Sequence, residues 1–218
     1  YLNVASGDYA LVAGGQRNEA TTEGDTVAGG STNKASGMYT FIGGGYGNTV
    51  TAVYGVITGG VSNTVSGNLS FIGGGSNNKA QGDYGGILGG YGNTITGTHS
   101  AVLGGYGNSA MQNFTFAGGR KSSATAQGAW AISDSTDAEF QNSTENSFAA
   151  RFSGGYNLTG SAVKIPNAGS GNSYIYFGDP NTDGSWRIMI SGSGNTSVLH
   201  FERRESGTWE DRGSFPGI

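Results

Sequence analysis

Residues able to carry chemistry are few in this chain, and their spacing argues against most catalytic arrangements. The two histidines are His99 and His200, and with no cysteine in 218 residues there is neither a thiolate ligand nor a disulfide framework. His200 and Glu202 would share one face of a strand, which supplies at most two metal ligands. The run Asp179-Pro-Asn-Thr-Asp-Gly184 imitates the opening of an EF-hand loop. The bidentate Glu that the motif needs eleven residues after Asp179 is instead Ile190, so the run is expected to be a hairpin turn. Asp134, Asp137 and Glu139 could supply the paired carboxylates of a glycosidase, but these acids fall mostly in turns. Ser191-Gly-Ser-Gly is a loop rather than a nucleophile elbow, and the Gly-rich segments lack the Gly-Lys-Ser/Thr end of a phosphate-binding loop. The expectation is no enzyme, no cofactor and no metal.

Recognition chemistry is better supplied. Aromatic residues make up 11% of the chain, and exposed Tyr or Trp can stack on sugar rings while Asn, Ser and Thr provide hydrogen bonds. Tyr46, Tyr91, Tyr106, Trp186 and Trp209 are the candidate ligand-contacting aromatics. Charged residues are only 12% and the formal net charge is −4, so the basic footprint of a nucleic-acid binder is absent. No apolar run approaches the ~18 residues of a membrane span, and no membrane insertion is expected.

The elements that position these residues are set by a repeat. Gly-Gly pairs begin at Gly14, Gly29, Gly44, Gly59, Gly74, Gly89 and Gly104, always fifteen residues apart. Asn follows four residues after each first Gly, at Asn18, Asn33, Asn48, Asn63, Asn78, Asn93 and Asn108, with Asn3 in the same register. Two residues further comes Ala20, Ala35, Val50, Val65, Ala80, Ile95 or Ala110. Two before each pair stands Val12, Val27, Ile42, Ile57, Ile72, Ile87 or Val102. A weaker row runs five before the pair, as Tyr9, Tyr39, Tyr54, Leu69, Tyr84 and His99.

Gly-Gly every fifteen residues would break helices repeatedly, whereas two short strands and two tight turns fit that length. The expected coil therefore has one strand ending just before Gly-Gly and another in the Asn-x-Ala/Val/Ile segment. Gly37, Gly67, Gly82 and Gly97 are expected to give the second turn its positive φ. The Asn row is expected to be structural, tolerating left-handed geometry and stacking amide on amide between coils. The Tyr row suits a core, a contact between copies or a sugar-stacking strip, with packing favoured. Coils so rich in Gly and Ala bury little apolar area, and association with copies of the same chain would bury a second face.

Units such as Asn63-Thr-Val-Ser-Gly-Asn-Leu-Ser-Phe-Ile-Gly-Gly-Gly75 resemble the head repeats of trimeric autotransporter adhesins. That resemblance covers residues 1 to about 128, and the same roll also occurs in phage tail fibres. It implies a left-handed parallel β-roll that assembles as a homotrimer, although the spacing here is fifteen residues where about fourteen is usual in the family. The stretch from Tyr176 to Gly213 is similar to C-terminal modules of phage tail-fibre proteins, through its Phe-Gly-Asp-Pro turn, its Trp186-Arg187 pair and its closing Arg204-Glu-Ser-Gly-Thr-Trp209.

The resulting expectation is an all-β chain in three parts. Residues 1–128 form a parallel β-roll solenoid of seven to eight coils, with Gly118–Gly119 and Ser122 in a terminal capping coil. Residues 129–160 form a connector, and residues 161–218 a small antiparallel β module. Because Asn3, Ala5 and Gly7 keep the register, the solenoid is expected to continue upstream in a longer polypeptide. The implied function is a non-enzymatic, receptor-binding segment of a trimeric phage tail fibre, located in the virion, whose partner is a host cell-surface glycan or protein. A bacterial surface adhesin and a mechanical spacer are the alternatives.

Overall fold

Fifteen residues wound into one coil leave room for only short strands, and from Val4–Ala5 to Thr94–Ile95 each strand is two residues long. The computed structural model describes residues 2–155, 173–177, 186–191 and 198–216. It divides into two units, Tyr1–Tyr156 and Asn157–Ile218.

In the first unit, strands that follow the Asn row, such as Glu19–Ala20, Lys34–Ala35 and Thr49–Val50, form one ten-stranded parallel sheet. Strands that precede Gly-Gly, such as Thr26–Val27, Phe41–Ile42 and Val56–Ile57, form a second ten-stranded parallel sheet. Each residue pairs with its equivalent one coil away, as in Ala20 with Ala35 and Ile42 with Ile57. Side chains alternate across a strand, so one residue of each pair points inward. Ala20, Ala35, Val50 and Val65 of the first sheet and Val27, Ile42, Ile57 and Ile72 of the second belong to one fully buried core. At about 4.8 Å per coil, ten coils make a stack about 45 Å long.

The close approach of successive coils decides where glycine stands. At Gly90 φ is +92°, and a Cβ there would lie 2.2 Å from the Gly105 carbonyl oxygen; at Gly89 nothing lies within 4 Å. The second turn differs from expectation. Gly37, Gly67, Gly82 and Gly97 do not adopt positive φ. They are glycine because the next coil passes through the space of a Cβ, 1.8 Å away at Gly97 and 2.2 Å at Gly67. The left-handed residues of that turn are the aromatic row itself: Tyr39, Tyr54, Leu69, Tyr84, His99 and Phe114 all have φ of 54–60°. This conformation costs ~1–2 kcal/mol per residue, and a backbone bond helps offset it. The amide of Tyr39 donates to the Glu23 carbonyl of the preceding coil at 2.8 Å, and that of Tyr84 to Asn68 at 2.9 Å.

The solenoid also runs further than the period implies. Residues 129–151, expected as part of a connector, contribute the strands Trp130–Ser133, Phe140–Asn142 and Phe148–Arg151 to the two sheets. Phe116 pairs with Trp130, fourteen residues on, and Trp130 pairs with Phe148, eighteen residues on. Gly118–Gly119 and Ser122 therefore do not lie in the terminal coil. The repeat is masked by a shortened coil and then a lengthened one.

In the second unit, Ser173–Phe177, Trp186–Ser191, Val198–Glu205 and Thr208–Pro216 form a four-stranded antiparallel sheet in sequence order. This is the small β module expected there. Ser206 and Gly207 close its last hairpin with φ of 49° and 83°, the paired positive angles that suit a two-residue hairpin turn.

Two alanine substitutions within one Gly-Gly pair separate these steric demands. Gly89→Ala is expected to change unfolding stability by less than about 0.5 kcal/mol. Gly90→Ala should destabilise by about 2–3 kcal/mol, measured by denaturant titration. Equal effects at both positions would contradict the coil packing.

Candidate functional site

The Asn row is internal. Asn18, Asn33, Asn48, Asn63, Asn78, Asn93 and Asn108 are fully buried, and Asn3 in the first coil is partly so. None of the eight is left-handed; that geometry falls on residues just before them, including Arg17, Thr32, Ser62 and Asn77. Asn63 shows what each amide does. Its Nδ2 donates to the Gly59 carbonyl at 3.2 Å and to the Gly75 carbonyl of the next coil at 3.0 Å. Its Oδ1 accepts the backbone N–H of Asn78 at 3.0 Å. Ser122 ends the row by donating its N–H to Asn108 Oδ1 at 2.9 Å. These amides close both Gly-Gly corners and present nothing to a ligand.

A second buried polar row, unsignalled by the period, runs beside the second turn. Asp25 is fully buried, and its carboxylate accepts from both the N–H and hydroxyl of Thr22 and of Thr40. Ser70 and Ser100 continue the row with bonds to the Gly82 and Gln112 carbonyls.

The outer surfaces carry the recognition chemistry. The turn aromatics are half-exposed and stacked along the coil axis, with centroids 5.5 Å apart for Tyr39–Tyr54, 4.6 Å for Tyr84–His99 and 5.4 Å for His99–Phe114. Their ring faces are therefore largely covered by one another and their edges meet solvent. Tyr46, Tyr91 and Tyr106 lie in a second row beside the Gly-Gly corner, bridged coil to coil through Val61 and Ser76. Tyr91 stacks on Tyr106 at 5.4 Å, and the Arg120 guanidinium lies over Tyr106 at 5.6 Å. Tyr46 stands between Ser31 and Val61 in that row and is 57% exposed.

The two sheets present opposite chemistry outward. The first shows Glu19, Lys34, Thr49, Thr64, Lys79 and Thr94, with Lys34 and Glu19 paired at 3.4 Å. The second shows an apolar face that includes Leu11, Phe41, Phe71, Leu88, Leu103, Trp130 and Phe148, all exposed.

The acidic candidates are held in ion pairs and turns. Asp134 accepts the Ser153 and Thr136 N–H groups at 2.6 Å and 3.0 Å and faces Arg151, and these bonds hold its carboxyl far below the usual range. Asp137 is lowered by its bond to Lys121 and by Arg120, and the same pair raises Lys121. A general acid needs the opposite shift. In the second unit Glu202 is buried and pairs with Arg187, whose guanidinium lies 4.4 Å from the Trp209 ring centroid. Glu202 is thus a structural partner of Arg187. His200 bonds Asp211 at 2.9 Å and lowers it. Trp186 pairs with Phe177 and Arg203 in the sheet, and the EF-hand-like run 179–184 lies outside the described residues. Among the described residues no group of three or more metal-ligating side chains exists. No protein-family model matches the chain, and no curated protein matches its sequence.

Removing one rung tests the ladder. Asn63→Ala leaves the Gly59 carbonyl and the Asn78 N–H without their partner and removes one of the two bonds to the Gly75 carbonyl, which keeps the Val61 N–H. It should cost about 2–4 kcal/mol in denaturant unfolding. Exposed Asn77→Ala should cost under about 1 kcal/mol in the same assay.

The last coil should respond to acid. The folded-state pKa of Asp134 lies below its unfolded value, so its stabilisation is complete above about pH 4 and is lost as pH falls. The protection of the amides of residues 130–153, taken relative to their intrinsic exchange rates at each pH, is expected to fall below that pH, and Asp134→Asn should flatten the dependence. Protection unchanged down to pH 2 would contradict it.

Proposed function

We propose that this chain is a non-enzymatic segment of a homotrimeric phage tail fibre that attaches to a host cell-surface glycan. The observation that carries the reading is the apolar outer face of the second sheet, set against the Thr- and Lys-bearing outer face of the first. A solenoid needs no such face for its own core, which is already closed by the inward Val, Ile and Ala rows. An extended exposed apolar surface on a rod marks a contact with another surface, and two further copies of the chain would cover its regular part, from Leu11 to Leu103. The resemblance of the repeats to trimeric adhesin heads, and of the C-terminal module to tail-fibre proteins, supports the same assembly. A phage fibre acts in the virion; a bacterial adhesin built on the same roll would act at a cell surface.

Two measurements test this. Light scattering at micromolar concentration should give three times the 22.1 kDa of one chain. Leu103→Asp, at a position 56% exposed in the single chain, should leave the coil folded and weaken assembly at least tenfold, the equivalent of about 1.4 kcal/mol. A wild-type mass of one chain would remove the trimer. Fluorescently labelled protein should then bind saturably to a narrow set of intact bacteria. Binding to animal cells or matrix proteins alone would favour the adhesin, and no binding by a verified trimer would favour a spacer.

A further inference from the structure

The stacked corner row stops at one place. Beyond Phe114 the left-handed position is taken by Gly128, with φ of +67°, and in the next coil by Asn146, with φ of 50°. A Cβ at residue 128 would stand 2.4 Å from Asn146 Oδ1, so a ring could continue the stack there only by displacing the Asn146 side chain. The missing side chain opens a depression of about 350 Å³ lined by Gly128, Trp130, Asn146, Ser147 and Phe148. That volume is at the small end of ligand pockets, ~300–1,000 Å³.

The lining is unlike the rest of the rod. Trp130 stacks on Phe116 at 5.1 Å on one side, and among the described residues no ring stacks on its other face. Trp130 is 49% exposed and Phe148 62%. Ser147 is committed, its hydroxyl bonding Asn142 Oδ1 and the Thr144 carbonyl. The side-chain amide of Asn146 and the indole N–H of Trp130 have no hydrogen-bond partner among the described residues. No cationic or acidic side chain lines the depression.

We infer that this depression is a carbohydrate subsite that takes one ring of a neutral sugar, an assignment that rests on the glycan-attachment reading above. A pyranose has an apolar face of C–H groups and a rim of hydroxyls. The open indole face and the Phe148 ring cover the first, by the amphipathic logic that makes aromatics suited to such ligands. A carboxamide offers both an acceptor and two donors, so Asn146 can bind two neighbouring hydroxyls, with the Trp130 N–H as a further donor. An anionic sugar would find no counter-charge there. The competing occupant is a second copy of the chain, because Trp130 and Phe148 extend the apolar row of the second sheet.

The test uses the whole chain, its assembled mass first fixed by light scattering, on an array of neutral glycans with sialylated and uronic-acid glycans alongside. Saturable binding to neutral glycans is expected, with none to the charged ones. Asn146→Ala should weaken it about tenfold and Trp130→Ala should abolish it, both with unchanged mass and melting temperature. Absence of binding to every neutral glycan overturns the subsite, as does equal binding to charged ones. A Trp130→Ala variant of reduced mass assigns the depression to the contact between copies and overturns it as well. If wild type and Trp130→Ala bind intact bacteria equally, the subsite fails while the attachment reading stands. If glycans bind through Trp130 but no cell does, the subsite stands and the attachment reading fails.

Discussion

A buried carboxamide every fifteen residues holds this solenoid together. Stacking coils about 4.8 Å apart pairs the backbone where strands run parallel, but at the Gly-Gly corner the chain turns. The first carbonyl of the pair, such as that of Gly44 or Gly59, loses its ladder partner, while the second keeps one, as Gly75 does from the Val61 N–H. Leaving such a group buried and unpaired costs about 1–3 kcal/mol. Asn meets the demand because one side chain both donates and accepts. It donates to the corner carbonyl of its own coil and to that of the next, and it accepts an amide from the Asn that follows. Asp could not donate, and Ser or Thr offers only one hydrogen. The second glycine of each pair follows from the same contact: the coil can come that close only where there is no Cβ.

With its corners closed internally, the rod is free to vary outside. The inward positions of the regular coils admit only Ala, Val and Ile. The outward positions obey no such limit and have separated by sheet, polar on one and apolar on the other. The second turn sits between. Its left-handed residue has to send its amide back to the preceding coil, and its side chain is thereby thrown outward. Aromatic rings at that position recover contact by stacking on one another, which offsets part of the conformational cost. Leu69, between Tyr54 and Tyr84, fills the same place without a ring.

The period was legible because each demand falls on a fixed residue type: Gly-Gly for close approach, Asn for the corner, Val or Ile for the core. The two inward rows and the structural role of Asn follow from it directly. Two features were not legible. Positive φ at Tyr39 or Phe114 has no local signal, since aromatic residues do not favour that conformation; a hydrogen bond from another coil imposes it. The last coils were hidden by chemistry that replaces the motif with equivalents. Ser122 and Ser133 take over the corner bonds, Asn142 occupies the register of Ala124, and the coil of eighteen residues that leads from Trp130 to Phe148 bulges out around Asp137, held by Arg120 and Lys121. Each substitution preserves the bond while erasing the pattern.

That same loss of pattern bears on where a rod of this kind can recognise anything. A perfect repeat presents one environment many times, and its aromatic faces are spent on each other; what reaches solvent is an edge. Open ring faces and unengaged amides require a break in the stack. Such breaks arise where a ring is flanked by small residues, as at Tyr46, or where the turn residue loses its side chain, as at Gly128. The irregular end of the solenoid combines a break with two large aromatics and an idle carboxamide. The uniform part sets length and assembly, and the departures from uniformity are where a ligand can find a surface unlike the coil beside it.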